Sequence, residues 1–216
     1  MINNDDKIIY VNKGDTLSGY EKLKPVPEKY IDELRLLFEK INLLQGSPIL
    51  GMKQIYAFIA RFNKKFVSTF TSCDKGCSAC CNIDVHLTEF EAEYIVMACN
   101  IPHKITPLTT NHKSSCPFLS TKGTCSIYHY RPLFCRTYHV LSSPKLCEDK
   151  NSVVMQYGTA SSNMGNFIYK KCAEWIYFQN QMIFGNTDVK DIRDFFPYHR
   201  DDVQFFLKAN PAKSPC

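Results

Sequence analysis

The chain has 216 residues, 44% hydrophobic and 13% aromatic, enough to bury a core without disulfide staples and too apolar for a disordered segment. Its formal charge of +5, from 26 basic and 21 acidic residues with no run of five Lys or Arg, argues against nucleic acid as a partner. No apolar run nears the roughly 18 residues of a membrane span, and the opening residues lack the pattern of a secretory signal. The expectation is a cytoplasmic protein in a thiol-reducing compartment, where the 11 cysteines, an odd number, suit metal or redox chemistry better than disulfides.

In chain order, residues 1–24 are polar, with strand propensity confined to Ile8–Val11. After Pro25-Val-Pro27, apolar residues Tyr30, Ile31, Leu34, Leu37, Phe38, Ile41 and Leu44 recur at three- and four-residue spacing and predict a helix from Glu28 to about Leu44. Ser47-Pro48 reads as an N-cap with proline at the first helical position. The second helix is expected to run to about Thr71, burying Ile55, Phe58, Ile59, Phe62, Phe66 and Phe70. Thr88-Glu-Phe-Glu91 is a capping-box pattern that opens a helix over Glu89 to Cys99. Residues 103–115 read as a loop, and residues 116–130 as a short hairpin with Gly123 near its turn. Arg131-Pro132 starts a brief helical turn bearing Cys135 and Arg136. A third long helix is predicted over about Asn163 to Phe184, burying Phe167, Ile168, Trp175, Ile176 and Phe178. The segment from Asp188 to Leu207 is broken at Pro197 into two short helices. There is no alternation of strands and helices of the kind a doubly wound sheet or barrel needs.

Seven cysteines fall between residues 73 and 135: Cys73, Cys77, Cys80, Cys81, Cys116, Cys125 and Cys135. The first four, at offsets 0, 4, 7 and 8, would occupy an arc of about 100° on one helix face but spread along roughly 12 Å of axis. Sulfurs about 2.3 Å from one tetrahedral zinc lie only about 3.8 Å apart, so a straight helix cannot deliver all four. Gly76 favours a bend, and the vicinal Cys80 and Cys81 favour two ions or a larger cluster over one compact zinc. Soft thiolates select zinc or iron–sulfur over magnesium or calcium. Arg131 and Arg136 are placed to offset thiolate charge and donate hydrogen bonds to sulfur around the cofactor. Cys99 and Cys172 read as small buried apolar residues, Cys147 as a spare ligand, and His129 and His139 as lesser alternatives. No Ser/His/Asp constellation stands out.

The order C-x3-C-x2-C-C, then C-P-F-L, then G-x-C-x-I-Y-x-x-R-P-x-x-C-R resembles the cysteine-cluster (CxxCxxCC-type) family of zinc- or iron-chelating domain proteins, over residues 73 to about 138. The first spacing is one residue longer than the family name implies, which singles out Cys73. The resemblance implies a bound metal and no particular reaction. More distantly it extends to the flagellin lysine methylases, iron–sulfur proteins that use S-adenosylmethionine. Cys73-x3-Cys77-x2-Cys80 also matches the radical S-adenosylmethionine spacing, but the βα-repeat barrel of that fold is not legible.

The expected fold class is mainly α: a single helical domain with a cysteine-rich metal-binding insert containing a short hairpin. Residues 1–72 form an N-terminal helical support, 73–140 the metal-binding region and 141–216 a C-terminal helical region. The expected cofactor is an iron–sulfur cluster, [4Fe-4S] ahead of Zn2+. The alternatives are an enzyme acting with S-adenosylmethionine and a protein-interaction module presenting Phe195, Phe196, Tyr198, Phe205 and Phe206, although core packing is the simpler reading of those aromatics. Neither a membrane nor nucleic acid is expected as a partner.

Overall fold

The computed structural model describes residues 25–43, 47–73, 76–147, 154, 156–158 and 167–209. The strand propensity at Ile8–Val11, the start of the third long helix at Asn163 and the terminal Cys216 lie outside them. The described chain is mainly helical. Its elements are α1 (Glu28–Leu43), α2 (Pro48–Lys65), β1 (His86–Thr88), α3 (Glu89–Cys99), α4 (Leu133–Thr137), β2 (His139–Val140), β3 (Gln156–Tyr157), α5 (Phe167–Phe184), β4 (Val189–Asp191), α6 (Ile192–Phe195) and α7 (Arg200–Ala209). Two compact units result. The first joins Met1–Cys73 to Arg136–Trp175, and the second joins Asp74–Cys135 to Ile176–Cys216.

In the first unit, α1 buries Tyr30, Leu34 and Ile41, the inward face of its apolar repeat. Pro48 sits at the start of α2 as expected, but the Ser47 side chain makes no capping bond. The Ser47 carbonyl instead accepts from Leu50 N at 3.0 Å and Gly51 N at 3.3 Å. α2 also ends at Lys65, short of Thr71, and passes into a 3-10 turn over Val67–Thr69. Hydroxyls explain this early stop: Ser68 Oγ donates to Lys64 O, Thr69 Oγ1 to Phe66 O and Thr71 Oγ1 to Val67 O, so side chains compete for the backbone carbonyls. Aromatic edges fill the core in a chain from Tyr30 to Phe62 (5.0 Å) and Tyr169 (5.7 Å), with Phe70 against Tyr157 (5.0 Å). β2 and β3 pair antiparallel, His139 opposite Tyr157 and Val140 opposite Gln156. The Tyr169 hydroxyl donates to Asn63 Oδ1, whose amide donates to Arg136 O at 2.7 Å, so the polar tip of this buried ring is satisfied.

The second unit is built on α3. Thr88 Oγ1 accepts from Glu91 N at 3.2 Å while Glu91 Oε2 accepts from Thr88 N at 3.0 Å, the reciprocal capping box expected from the sequence. Asn100, left-handed at φ 54°, closes the helix after Cys99. β1 and β4 pair antiparallel, His86 opposite Asp191 and Thr88 opposite Val189. Residues 116–130 turn back as expected: Leu119 and Cys125 form a bridge, with Gly123 N donating to Ser120 O. The core gathers Leu87, Ile95, Ile101, Phe118, Ile127 and Phe196. Phe195 and Phe196 are buried and only Phe205 is largely exposed, at 69%, so the aromatic pattern of this segment is core packing and not an open patch. Phe178 is the reverse case. At 58% exposed it faces away from Ile168, Cys172 and Ile176, which repeat every four residues, because two further residues turn it about 200° round the helix. Among the described residues, no helix is long and apolar enough to cross a membrane.

Gly158 is tightly constrained. It holds φ +84°, and a Cβ there would lie 2.3 Å from Tyr169 Cε2 and 3.1 Å from Thr137 O. Gly158→Ala should destabilise the first unit by about 1–3 kcal/mol through overpacking, with backbone strain adding to it. An unchanged urea midpoint would contradict this packing.

Candidate metal centre

Six of the seven expected cysteines belong to the second unit. Gly76 turns the chain at φ +98°, and Cys80 and Cys81 ride on a 3-10 turn over Ala79–Asn82. The Cys80 thiol hydrogen-bonds to Cys81, which pushes its pKa far up; burial and the nearness of the Cys81 charge add to this, and the Arg131 guanidinium opposes it. The Cys116 amide donates to Cys81 O at 2.7 Å, tying the two cysteine segments together. Cys116 is buried, and burial raises its thiol pKa first, with Cys135 and then Cys125 adding to the effect. The Phe118 amide and the Arg193 guanidinium pull the other way. Cys125 and Cys135 therefore each lie within electrostatic reach of Cys116. Cys125 sits on the Leu119 bridge and Cys135 on α4. Cys77 is exposed.

Cys73 and Arg136 fall in the first unit. Cys73 Sγ accepts from Val140 N at 3.2 Å, and the buried Arg136 lays its guanidinium 4.1 Å from the Tyr56 ring centroid. Arg131, in the second unit, stacks on Tyr128 at 3.7 Å and donates from Nε to Tyr128 O. Cys99 and Cys172 are buried as expected, and burial raises the Cys172 thiol pKa. Cys147 is half-buried in a 3-10 turn, His129 is exposed, and His139 occupies β2.

Arg193 and Asp191, which sequence reasoning passed over, and Glu91, which it read as a capping residue alone, organise the cysteine segments. Arg193 is buried; its Nη1 lies 2.9 and 3.0 Å from the two oxygens of the fully buried Asp191. The same guanidinium donates to Ser114 O at 3.1 Å, Ile83 O at 3.3 Å and Cys81 O at 3.4 Å, holding the carbonyls flanking Cys81 and Cys116 on one fork. Glu91 extends its capping role, since Oε1 accepts from Leu133 N at 2.7 Å and so fixes the start of the helix that carries Cys135. The only local hint of Arg193 was the charge pattern Asp191-Ile-Arg193-Asp194, too short and too common to single out a residue.

Among the described residues, the side chains whose ligand atoms all lie within 4.8 Å of one another are Asp84, His112 and Asp191, and not the cysteines. Thiols attract one another weakly, so their separations follow the packing of their segments. The His/Asp group is already well supplied with donors. Asp84 accepts from Asn111 N at 2.7 Å, His112 N at 3.0 Å and His112 Nδ1 at 2.8 Å. Asp191 accepts from Val85 N at 2.6 Å, from Arg193 N and from the guanidinium. Thr109 Oγ1 lies 2.5 Å from His112 Nε2 and donates its proton to Asp194. The network ties the loop over residues 103–115 to β4 and α6.

Arg193→Lys keeps a charge for Asp191 but loses the fork, whereas Arg193→Met leaves a buried carboxylate unpaired. Losses of about 1–3 and 3–5 kcal/mol are expected. Both variants should also speed alkylation of Cys81 and Cys116 under native conditions. Wild-type alkylation rates would rule out the fork as what holds these segments. Asp84 supplies a pH test. Desolvation raises its pKa, but the His112 side chain and the amides of His112 and Asn111 outweigh it, and the net shift is downward. A depressed carboxylate adds stability that is complete above the ordinary Asp pKa of about 3.9 and is lost as pH falls through the folded-state value. Asp84→Asn should therefore flatten the acid side of the stability profile, measured by denaturant titration between pH 2 and 6.

No curated protein and no solved structure matches the chain. Residues 72–161, under half of the chain, match the CxxCxxCC family model, whose description is "Putative zinc- or iron-chelating domain", so this region is metal-binding in general character.

Proposed function

We propose that the second unit holds a metal through thiolates drawn from Cys77, Cys80, Cys81, Cys116, Cys125 and Cys135, with an iron–sulfur cluster of the [4Fe-4S] type ahead of Zn2+. The observation that carries this reading is the tie between the two cysteine segments, the Cys116 amide donating to Cys81 O at 2.7 Å, with Cys125 and Cys135 near enough to Cys116 to make its ionisation harder. Thiols arranged to resist ionisation in isolation accept it when a cation shares their charge, as metal binding requires. Cys80 and Cys81 add a second pair of soft donors on a turn joined to Cys116 by a backbone hydrogen bond. The donor set therefore fits a zinc or iron centre.

Iron is preferred because the adjacent donors Cys80 and Cys81 suit a cluster with several metal atoms better than one compact ion. Arg131, which already opposes the rise of the Cys80 pKa, would act as an outer hydrogen-bond donor to sulfur. A thiolate centre of this kind needs a reducing compartment, which supports the cytoplasmic expectation.

Anaerobically purified protein should carry iron and acid-labile sulfide and show a broad absorption band near roughly 400 nm. Cys116→Ala should lose most of that metal, while Cys99→Ala, made in the same core away from the pool, should keep it. Colourless protein with stoichiometric zinc would replace iron by zinc. Full metal retention in Cys116→Ala and in Cys135→Ala would remove the thiolate centre altogether.

A further inference from the structure

The second unit contains a cavity of about 670 Å³, bounded by the loop over residues 103–115, the Cys116-Pro117 segment and the connection from α6 into α7. That volume is in the range of small-molecule sites, which combine apolar walls with a few placed polar groups. Pro197 and Tyr198 offer apolar surface on its lining, with the buried Pro117 and Phe196 behind them.

Most of the charged groups around this cavity are already engaged. Arg193 is paired with Asp191 and spread over three carbonyls. Asp194 takes both a hydroxyl and an amide from Thr109. Asp201 faces His199 at 3.5 Å, both side chains being largely exposed. His112 is held between Asp84 and Thr109. What is left is Arg200, half-buried at the cavity wall, whose guanidinium has no hydrogen bond or ion pair among the described residues. The hydroxyls of Ser114, Thr121 and Tyr198 on the same lining are likewise without a hydrogen bond among the described residues. One uncommitted cation and three uncommitted hydroxyls beside a proline and aromatic wall make a site of definite polarity.

We propose that this cavity binds a small organic anion, its carboxylate or phosphate head on Arg200 and the neighbouring hydroxyls and its flat apolar body against Tyr198 and Pro197. A planar guanidinium meets either head group through two parallel hydrogen bonds, and a half-buried position strengthens them relative to open water. The inference stands on the cavity and its lining, and it holds whether or not Cys116, which also lines the wall, carries a metal.

The test is titration of the full chain with phenyl phosphate, benzoate, inorganic phosphate and benzyl alcohol, followed by amide chemical shifts and calorimetry. Phenyl phosphate or benzoate should bind with shifts centred on residues 114–121 and 196–200, at least several-fold more tightly than inorganic phosphate or benzyl alcohol. Arg200→Ala should weaken that binding by about tenfold or more, as expected for loss of a charge-assisted hydrogen bond. Arg200→Lys should recover part of it, and Lys113→Ala, an exposed charge outside the lining, should leave it unchanged. Three results would overturn the proposal: no aryl anion binding at tens of millimolar, equal affinity for benzyl alcohol, or equal weakening by Arg200→Ala and Lys113→Ala. Circular dichroism of Arg200→Ala separates loss of binding from loss of fold.

Discussion

A buried guanidinium paired with a buried carboxylate sets the geometry of the cysteine-bearing unit. Removing two charges from water is unfavourable unless their remaining hydrogen-bonding groups also find partners. Arg193 and Asp191 meet that condition fully: the carboxylate takes two backbone amides besides the guanidinium, and the guanidinium reaches three carbonyls besides the carboxylate. Those carbonyls belong to Cys81, Ile83 and Ser114, so the demand to satisfy one buried ion pair also brings the two halves of the cysteine motif to a common point.

The same logic, with a neutral donor set, governs the thiols. Each cysteine close to Cys116 raises the cost of ionising it, and burial raises it further. Free thiolates are therefore disfavoured at Cys116. Glu91 shows how closely the support is tied to the secondary structure. One carboxylate caps α3 with one oxygen and fixes the start of α4, and so Cys135, with the other. The His112 network adds a third tie, carrying the loop before Cys116 on carboxylates already supplied with donors.

The first unit depends on a different interaction. Its aromatic side chains meet mostly edge to face, and its central Tyr169 requires a partner for the hydroxyl at its tip. Asn63 supplies that partner and passes the tie on to the Arg136 carbonyl. The absence of a side chain at Gly158 leaves room for the Tyr169 ring itself.

Local rules made much of this legible in the residues alone. The repeat from Tyr30 to Ile41, Pro48 at a helix start, the Thr88 and Glu91 box and the Gly123 turn each act within a few residues, and the helix over Glu89–Cys99 appears with the ends they imply. The density of soft ligands and their motif order likewise pointed to metal, in agreement with the family match over residues 72–161. The early end of α2 escaped notice because three hydroxyls compete for its carbonyls, and Phe178 because helical rotation outweighs apolar character. Only tertiary structure could reveal Arg193, Asp191 and Asp84 as the framework of the cysteine segments, or set Arg200 at a cavity wall without an ion pair among the described residues. Their partners lie roughly 80 to 110 residues away for Arg193, as in the contacts to Ser114 and Ile83, and a pattern read along the chain carries no information about which distant carbonyl a buried charge must satisfy.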